Sequence, residues 1–266
     1  MTYRWRQETK MLALTPEQIR HLPRENKIVA NAVIAEKERR RSQRAFFRLF
    51  PDEDTVQPDS SIIHARAKYG KHLEFFAAGS TYRERCFLAA NRVGKTTAGG
   101  YELTCHLTGL YPKWWEGRRF TAPIRAWACG KTNETTRDIV QSALLGEIAF
   151  ADGRKTVSGT GMVPGRLLGL PSWKQGVQDL IDTIKVKHVS GKWSMLGMKS
   201  YQQGRGSFEG TAQHVIWPDE ECPLDVYGEC VIRTATTNGL VMLTFTPLAG
   251  LTDTVLQFLP QQDGTQ

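Results

Sequence analysis

No stretch of this 266-residue chain holds the ~18 consecutive apolar residues that a membrane-spanning helix needs. The opening residues, MTYRWRQETK, are polar and lack the apolar core of a secretory signal. Cysteine is sparse and scattered: Cys86, Cys105, Cys129, Cys222 and Cys230 form an odd set with no C-x-x-C pair. That spacing argues against a disulfide framework and a zinc site, and points to a reducing compartment. The six histidines are dispersed and no H-E-x-x-H occurs, so no protein-built transition-metal site is expected. There is no internal repeat, and a chain 40% hydrophobic and 23% charged is neither disordered nor a coiled coil.

What remains is a soluble globular chain with material for one large domain or two small ones. Its 35 basic against 27 acidic residues leave a formal charge of +8, which favours a polyanionic partner, most often nucleic acid. Thr15, Pro16 and Gln18 spell a helix start, interrupted at Pro23, and a second helical stretch is expected from Glu25 to Phe50. Within it the run Arg39–Arg44 is either a solvated face or a basic surface for DNA or a neighbouring subunit. The acidic stretch Pro51–Ser60, with Pro51 and Pro58, reads as a linker, dividing a helical extension over residues 1–58 from a main domain over residues 59–266.

Ile62, Tyr69, Leu73 and Phe76 recur at helical spacing. From Arg85 the pattern becomes strand and helix in alternation: strand Cys86–Ala89, helix Thr96–Leu107 ended by Gly109, strand Ile124–Cys129 and helix Thr132–Leu145. Residues Gly146–Gly176 read as an irregular excursion. A hairpin follows, Ile184–Val189 and Lys192–Met198 about Ser190-Gly191, then strands Val215–Trp217 and Leu240–Phe245. Such alternation indicates an α/β domain around a mostly parallel sheet.

The informative segment is Ala89-Ala90-Asn91-Arg92-Val93-Gly94-Lys95-Thr96, followed by Thr97. It lies directly after an apolar strand and directly before a helix, the context a phosphate-binding loop requires. Backbone amides and the helix N-terminus favour bound phosphate. Lys95 is placed to reach the β- and γ-phosphates of ATP, and the Thr96 hydroxyl to ligate Mg²⁺. The first position is Ala89 where the common pattern has glycine, so the loop is a variant. Its expected complement is an apolar strand ending in aspartate, and Val215-Ile216-Trp217-Pro218-Asp219-Glu220 supplies it. Asp219 is expected in the Mg²⁺ shell and Glu220 as the group that polarises the attacking water. Pro218 belongs at the strand's end, since it lacks a ladder donor. A third strand ends in Thr244 and Thr246, hydroxyls suited to sensing the γ-phosphate and passing its loss onward.

Together, "FLAANRVGKTTAGG", "YQQGRGSFEGTAQHVIWPDEECP", "YGECVIR" and "LTFTPLAGL" resemble the ATPase domain of the large terminase subunit of tailed double-stranded DNA phages, over roughly residues 60–255. The resemblance implies a P-loop fold of the RecA/ASCE type, with helices flanking a mostly parallel sheet. It implies an ATPase that drives viral double-stranded DNA into a procapsid. The implied partners are non-sequence-specifically bound DNA, the portal protein, the procapsid, the small terminase subunit and further copies in a ring, a pentamer in relatives. The implied place is the host cytoplasm, at the portal vertex and not in a membrane. It also gives Arg92, inside the loop, a role at the γ-phosphate. A nuclease domain of RNase H-like fold usually follows in the family; after Pro247 only Asp253 and Asp263 are acidic, too few for a two-metal site, so none is expected in this chain.

Two positions depart from the family. No glutamine occurs over residues 60–90 where an adenine motif is common, leaving Phe75, Phe76 and Arg85 as candidates beside a purely structural role. Glu209, before Gly210, stands where many relatives carry an arginine that acts on the next subunit's ATP; Arg205 is the nearest substitute, with Arg125, Arg137 and Arg233 also open. An isolated domain is expected to be monomeric and slow. A helicase-like ATPase, or a nucleotide-binding assembly module with little turnover, would share the same motifs.

Overall fold

The computed structural model describes residues 16–42 and 44–259. Helices α1 (Pro16–Arg20) and α2 (Arg24–Ser42) come first. A ribbon of β1 (Thr55–Val56) and β2 (Ile62–Ile63) and helix α3 (Gly70–Ala78) lead into the sheet. Strand β3 (Glu84–Leu88), helix α4 (Lys95–Thr108) and strand β4 (Arg125–Gly130) follow. Short helices α5 (Asn133–Thr135) and α6 (Ser142–Leu145) flank a π-helical stretch, Thr136–Gln141. A small hairpin, β5 (Ile148–Ala151) and β6 (Arg154–Val157), precedes β7 (Leu168–Trp173), β8 (Ile181–Lys187) and β9 (Trp193–Ser200). Strand β10 (Val215–Pro218), helix α7 (Leu224–Ala235), strand β11 (Leu240–Phe245) and helix α8 (Asp253–Leu256) complete the described residues.

Seven strands form the main sheet in the order β3–β11–β10–β4–β9–β8–β7. Every pair from β3 to β9 is parallel, and β8 and β7 extend the far edge antiparallel. This is the expected α/β architecture with a mostly parallel sheet. The central strands β10 and β11 are buried at every position because both faces are covered. On one face Ala126, Ala128, Val215, Trp217 and Met242 pack with Ala98, Leu103 and Leu107 of α4. On the other, Trp127, Cys129, Ile216, Val241, Leu243 and Phe245 pack with Val226 and Cys230 of α7. The period-two alternation therefore assigns each strand residue to one helix layer.

Several elements differ from expectation. The helix expected over Glu25–Phe50 stops at Ser42, and Ala45–Arg48 is a 3₁₀ turn. Phe46 and Phe50 turn inward, each with its ring 4.8 Å from that of Tyr101, and Phe50 takes a left-handed φ of 55° that ends any helix. The stretch read as a bare linker carries the β1–β2 ribbon. Ile62 lies in that ribbon and is exposed, so the helix on Leu73 and Phe76 begins only at Gly70. The glycine-rich excursion contains β5, β6 and edge strand β7, where Pro171 sits without disturbing an interior ladder. Thr15 lies outside the described residues, as do Gln43 and the side chains of Arg39, Arg40 and Arg41.

Candidate active site

The parallel strands β3, β10 and β11 deliver their C-terminal ends to one edge of the sheet, where a cavity of about 620 Å³ is lined by Asn91, Arg92, Gly94, Lys95, Thr96 and Thr97 on one side. Asp219, Glu220, Thr244 and Thr246 line the other. Residues from three separate motifs thus meet at one place, in the crevice outside the strand ends where open α/β sheets bind ligands.

The loop between β3 and α4 is shaped by two left-handed residues, Arg92 at φ 62° and Gly94 at φ 84°. Gly94 N-caps α4, and the helix begins with Ala98 N–H donating to the Gly94 carbonyl at 2.9 Å. Ala89 is not among the left-handed residues, so its backbone has no need of glycine and the variant first position costs nothing in conformation. The first-turn amides of α4 have no acceptor inside the helix and face the cavity end.

The Lys95 ammonium is held by the Ala90 carbonyl at 2.6 Å and Thr246 Oγ1 at 2.7 Å. Burial lowers its pKa, opposed by the Asp219 charge. Thr246 Oγ1 lies 2.9 Å from the Ala89 carbonyl and 2.8 Å from Asn91 Oδ1, which ties β11 to the loop. Ala90 and Val93 lie on the exposed rim of that loop.

Asp219 is buried beneath the cavity. Thr96 Oγ1 donates to its carboxylate, 3.0 Å from Oδ2 and 3.2 Å from Oδ1, and Thr244 Oγ1 donates to Oδ1 at 2.7 Å. Burial pushes the Asp219 pKa up to about 6, outweighing those two hydroxyls. Asp219 N–H donates to the Cys129 carbonyl at 2.8 Å, which continues the ladder past Pro218, the last residue of β10 as expected. Glu220 next to it has a left-handed φ of 70°, rare for a residue other than glycine and concentrated at functional sites. Its N–H donates to the Thr244 carbonyl at 2.9 Å, and the Tyr201 hydroxyl lies 3.2 Å from its carbonyl and 2.9 Å from that of Asp219.

Thr244 and Thr246 both line the cavity but make different contacts. Thr244 is buried against Asp219, and it is Thr246 that reaches the phosphate loop. The adenine candidates are not brought to the cavity. Phe75 and Phe76 are core residues, and Arg85 is buried in an ion pair with Glu102 at 2.7 Å, stacked on Phe75. A second recess of about 310 Å³ shares Arg92, Gly94 and Thr97 with the phosphate cavity and is otherwise lined by Leu49, Phe50, Ile63, Tyr69, His72 and Val93. Arg205 stands apart from the cavity: it is exposed and paired with buried Glu229 at 3.2 Å, which Arg233 also contacts at 3.0 Å. Arg137 is engaged by Asp138 at 2.6 Å, and Arg125 is exposed on β4. Tyr201 and, in the recess, Leu49, Phe50, Ile63, Tyr69 and His72 are positions that sequence reasoning missed. No spacing marks them, although the aromatic content of residues 46–76 was a signal.

A phosphate loop on outer strand β3, an aspartate–glutamate pair on β10 and a further strand, β11, between them define a P-loop NTPase of the additional-strand type. The family model for the N-terminal part of the T4-like-virus type of terminase large subunit matches residues 86–264, and this chain belongs to that family. The chain is similar to the terminase large subunit of Salmonella phage P22, 36% identical over 234 residues, covering 81% of this chain and 46% of that protein. It therefore spans about half the length of that relative. Among solved structures it is similar to the large terminase ATPase domain of Thermus phage P74-26, at 13% identity with a TM-score of 0.40, covering 70% of this chain and 71% of that one. A large terminase of a thermophilic bacteriophage, solved with ADP, shares 13% identity at a TM-score of 0.44 over 67% of this chain and 38% of that one. Among the described residues no helix is long and apolar enough to cross a membrane.

Proposed function

We propose that this chain is the ATP-hydrolysing motor domain of a terminase and that it drives double-stranded DNA into a procapsid. The observation that carries the reading is the convergence of Lys95, Thr96, Asp219, Glu220 and Thr246 on one cavity, in a chain of the terminase family. The catalytic machinery lies within residues 59–266. Residues 1–58 form an extension whose inner end, Phe46 and Phe50, is seated in the same core.

The site suits a triphosphate with Mg²⁺. The buried carboxylate of Asp219 with the hydroxyl of Thr96 beside it is an all-oxygen donor set that suits a hard cation. Thr96 and Asp219 would hold the ion, Asp219 through water. Held there, Mg²⁺ would supply positive charge against the phosphate oxygens. Lys95 exchanges the Ala90 carbonyl and Thr246 for phosphate oxygens, and the loop amides from Ala90 to Thr97 cradle the chain of phosphates. Arg92 reaches the γ-phosphate from the loop. Glu220, fixed by its backbone bonds to Thr244 and Tyr201, orients the attacking water.

Thr246 couples the site to β11: when Lys95 turns to phosphate, Thr246 loses a partner. The adenine ring occupies the recess formed by Phe50, Tyr69 and His72, where rings offer stacking faces. Arg205 completes a neighbour's site in a ring assembled on the portal, with the small terminase subunit and DNA as further partners, in the host cytoplasm. In the isolated chain Glu229 holds it in reserve.

The test is phosphate release by wild type and Lys95→Ala, alone and with DNA, portal and procapsid. Mg²⁺-dependent turnover that rises on assembly and falls about 10²–10³-fold in Lys95→Ala supports the reading. Turnover retained in Lys95→Ala overturns the site, strand unwinding would favour a helicase, and nucleotide binding without turnover in the assembled state would favour an assembly module.

A further inference from the structure

Helix α4 carries two adjacent glycines in its interior, Gly99 and Gly100, where helix propensity disfavours them. At Gly99 the reason is a single side chain. A Cβ there would lie 2.2 Å from Nε1 and 2.4 Å from Cε2 of Trp217. The missing methyl makes the slot into which the indole fits edge-on. Trp217 is the largest fully buried side chain and lies two residues before Asp219, so the strand's alternation turns both toward α4.

The indole N–H is not idle in that slot. It donates to Thr244 Oγ1 at 2.7 Å, and Thr244 Oγ1 lies 2.7 Å from Asp219 Oδ1. The direction of this chain is fixed by the groups themselves. An indole nitrogen can only donate, so Thr244 must accept from it. A hydroxyl has one proton, which then points at Asp219. Thr244 is buried, leaving no solvent to compete for either bond.

We propose that Trp217 is a positioning residue for the metal site: its N–H orients the Thr244 hydroxyl, which in turn clamps Asp219 Oδ1 and leaves Oδ2 presented beside Thr96. Without the indole donor, the Thr244 hydroxyl is held by Asp219 alone, and its clamp on Oδ1 loosens. Glycine at position 99 is required by geometry alone, as the residue that admits the ring. The same network reassigns Thr244. Its proton is committed to Asp219, so it serves the metal side of the site, and sensing of the γ-phosphate falls to Thr246. The inference rests on the ATP–Mg²⁺ reading of the cavity.

The test uses ADP as the probe and thermal stabilisation as the readout, with Mg²⁺ titrated at fixed ADP. For the wild type, stabilisation by ADP that depends on Mg²⁺ is expected; its absence would overturn the ATP–Mg²⁺ reading itself. Given that result, Trp217→Phe, which keeps a buried ring and removes the donor, raises the Mg²⁺ midpoint about fivefold to tenfold and leaves ADP binding in EDTA unchanged. Thr244→Val gives a similar rise, Thr244→Ser does not, and the double variant Trp217→Phe with Thr244→Val shifts no further than Thr244→Val alone, as expected for one coupled chain. Gly99→Ala, which leaves both hydrogen-bonding groups in place but displaces the ring, raises the midpoint as well. An unchanged midpoint in Trp217→Phe, an equal loss of ADP binding with and without Mg²⁺, or additive shifts in the double variant would overturn the proposal. Should Trp217→Phe lack a cooperative melt, the wild-type Trp217 indole N–H resonance carries the test. It shifts when Mg²⁺ is added to the ADP-bound chain, and a fixed position overturns the proposal.

Discussion

The two ends of the main sheet are built on different rules. From β3 to β4 the strands are parallel, β10 and β11 are buried at every position, and the strand ends bring Asp219, Glu220, Thr244 and Thr246 to one cavity. From β9 to β7 the strands are antiparallel, and β8 alternates buried Ile181, Ile184 and Val186 with more exposed Asp182, Thr183, Lys185 and Lys187. This end also holds cation–π contacts, Lys187 of β8 over Trp193 of β9 at 4.6 Å and Lys155 of β6 over Trp173 of β7 at 4.3 Å. Left-handed residues, a buried carboxylate and hydroxyl-to-carboxylate bonds gather at the parallel end, where parallel strands leave unpaired termini beside the helix N-terminus of α4. The antiparallel end closes the sheet and presents a surface. Chemistry and shape are thereby separated along one sheet, and mutations at the two ends should differ in kind.

The largest effect is expected at the parallel end in an assembled motor. Arg205→Ala should lower turnover by about 10³-fold or more with portal and procapsid present, the scale of an arginine finger, and change the dilute chain little. Specific activity across a dilution series, with and without procapsid, measures both. Full activity of an assembled Arg205→Ala motor would remove that residue from the neighbour's site. Next comes Lys95→Ala, with a loss of about 10²–10³-fold in kcat and weaker ATP binding, read by phosphate release and nucleotide titration.

A smaller effect concerns pH and metal. Burial holds the Asp219 pKa up at about 6, so the carboxylate proposed to meet Mg²⁺ is increasingly protonated below that value. Apparent Mg²⁺ affinity should be flat above pH 7 and fall about tenfold per unit below pH 6, measured by Mg²⁺ titration of ADP binding. The sign for stability is the reverse. A carboxyl whose folded-state pKa is raised favours the folded state while it is protonated, so the metal-free chain should lose stability as pH rises from about 4 to 6, and Mg²⁺ with nucleotide should restore it. Asp219→Asn should abolish both trends.

The smallest effect belongs to the antiparallel end. Trp193 is half exposed, and Trp193→Ala should change stability by roughly 0.5 kcal/mol and leave ATP turnover within twofold, by thermal melts and phosphate release. A large loss of turnover there would break the separation between the two ends.

The parallel half was readable in the sequence because its signals are local. An apolar strand, a loop with Gly94-Lys95-Thr96 and a helix follow one another within about two dozen residues, and Asp219-Glu220 and Thr244 each close an apolar run. The expected helix Thr96–Leu107 and its end at Gly109 match α4 within a residue, with Gly109 left-handed as a C-cap should be. What was not readable depends on partners distant in the chain. Arg85 looks like a free cation in sequence; its partner Glu102 lies 17 positions on, across a strand and a helix. The recess beside the phosphate loop is assembled from Leu49, Phe50, Ile63, Tyr69 and His72, which straddle the boundary drawn at the prolines. Gly99 reads as a helix weakness until Trp217, 118 residues later, is seen to fill its place. The left-handed turn at Glu220 has no sequence mark, since glutamate rarely adopts it.

The proposed division of labour between Asp219 and Glu220 is tested most directly by Glu220→Gln. Single-turnover ATP hydrolysis and Mg²⁺-dependent ATP binding are measured on the same preparation. The expected result is binding and Mg²⁺ midpoint equal to wild type with hydrolysis slowed about 10²–10⁴-fold, the scale of a lost general base. Hydrolysis at the wild-type rate, or loss of Mg²⁺-dependent binding in step with hydrolysis, would contradict the assignment of Glu220 as the residue that orients the attacking water.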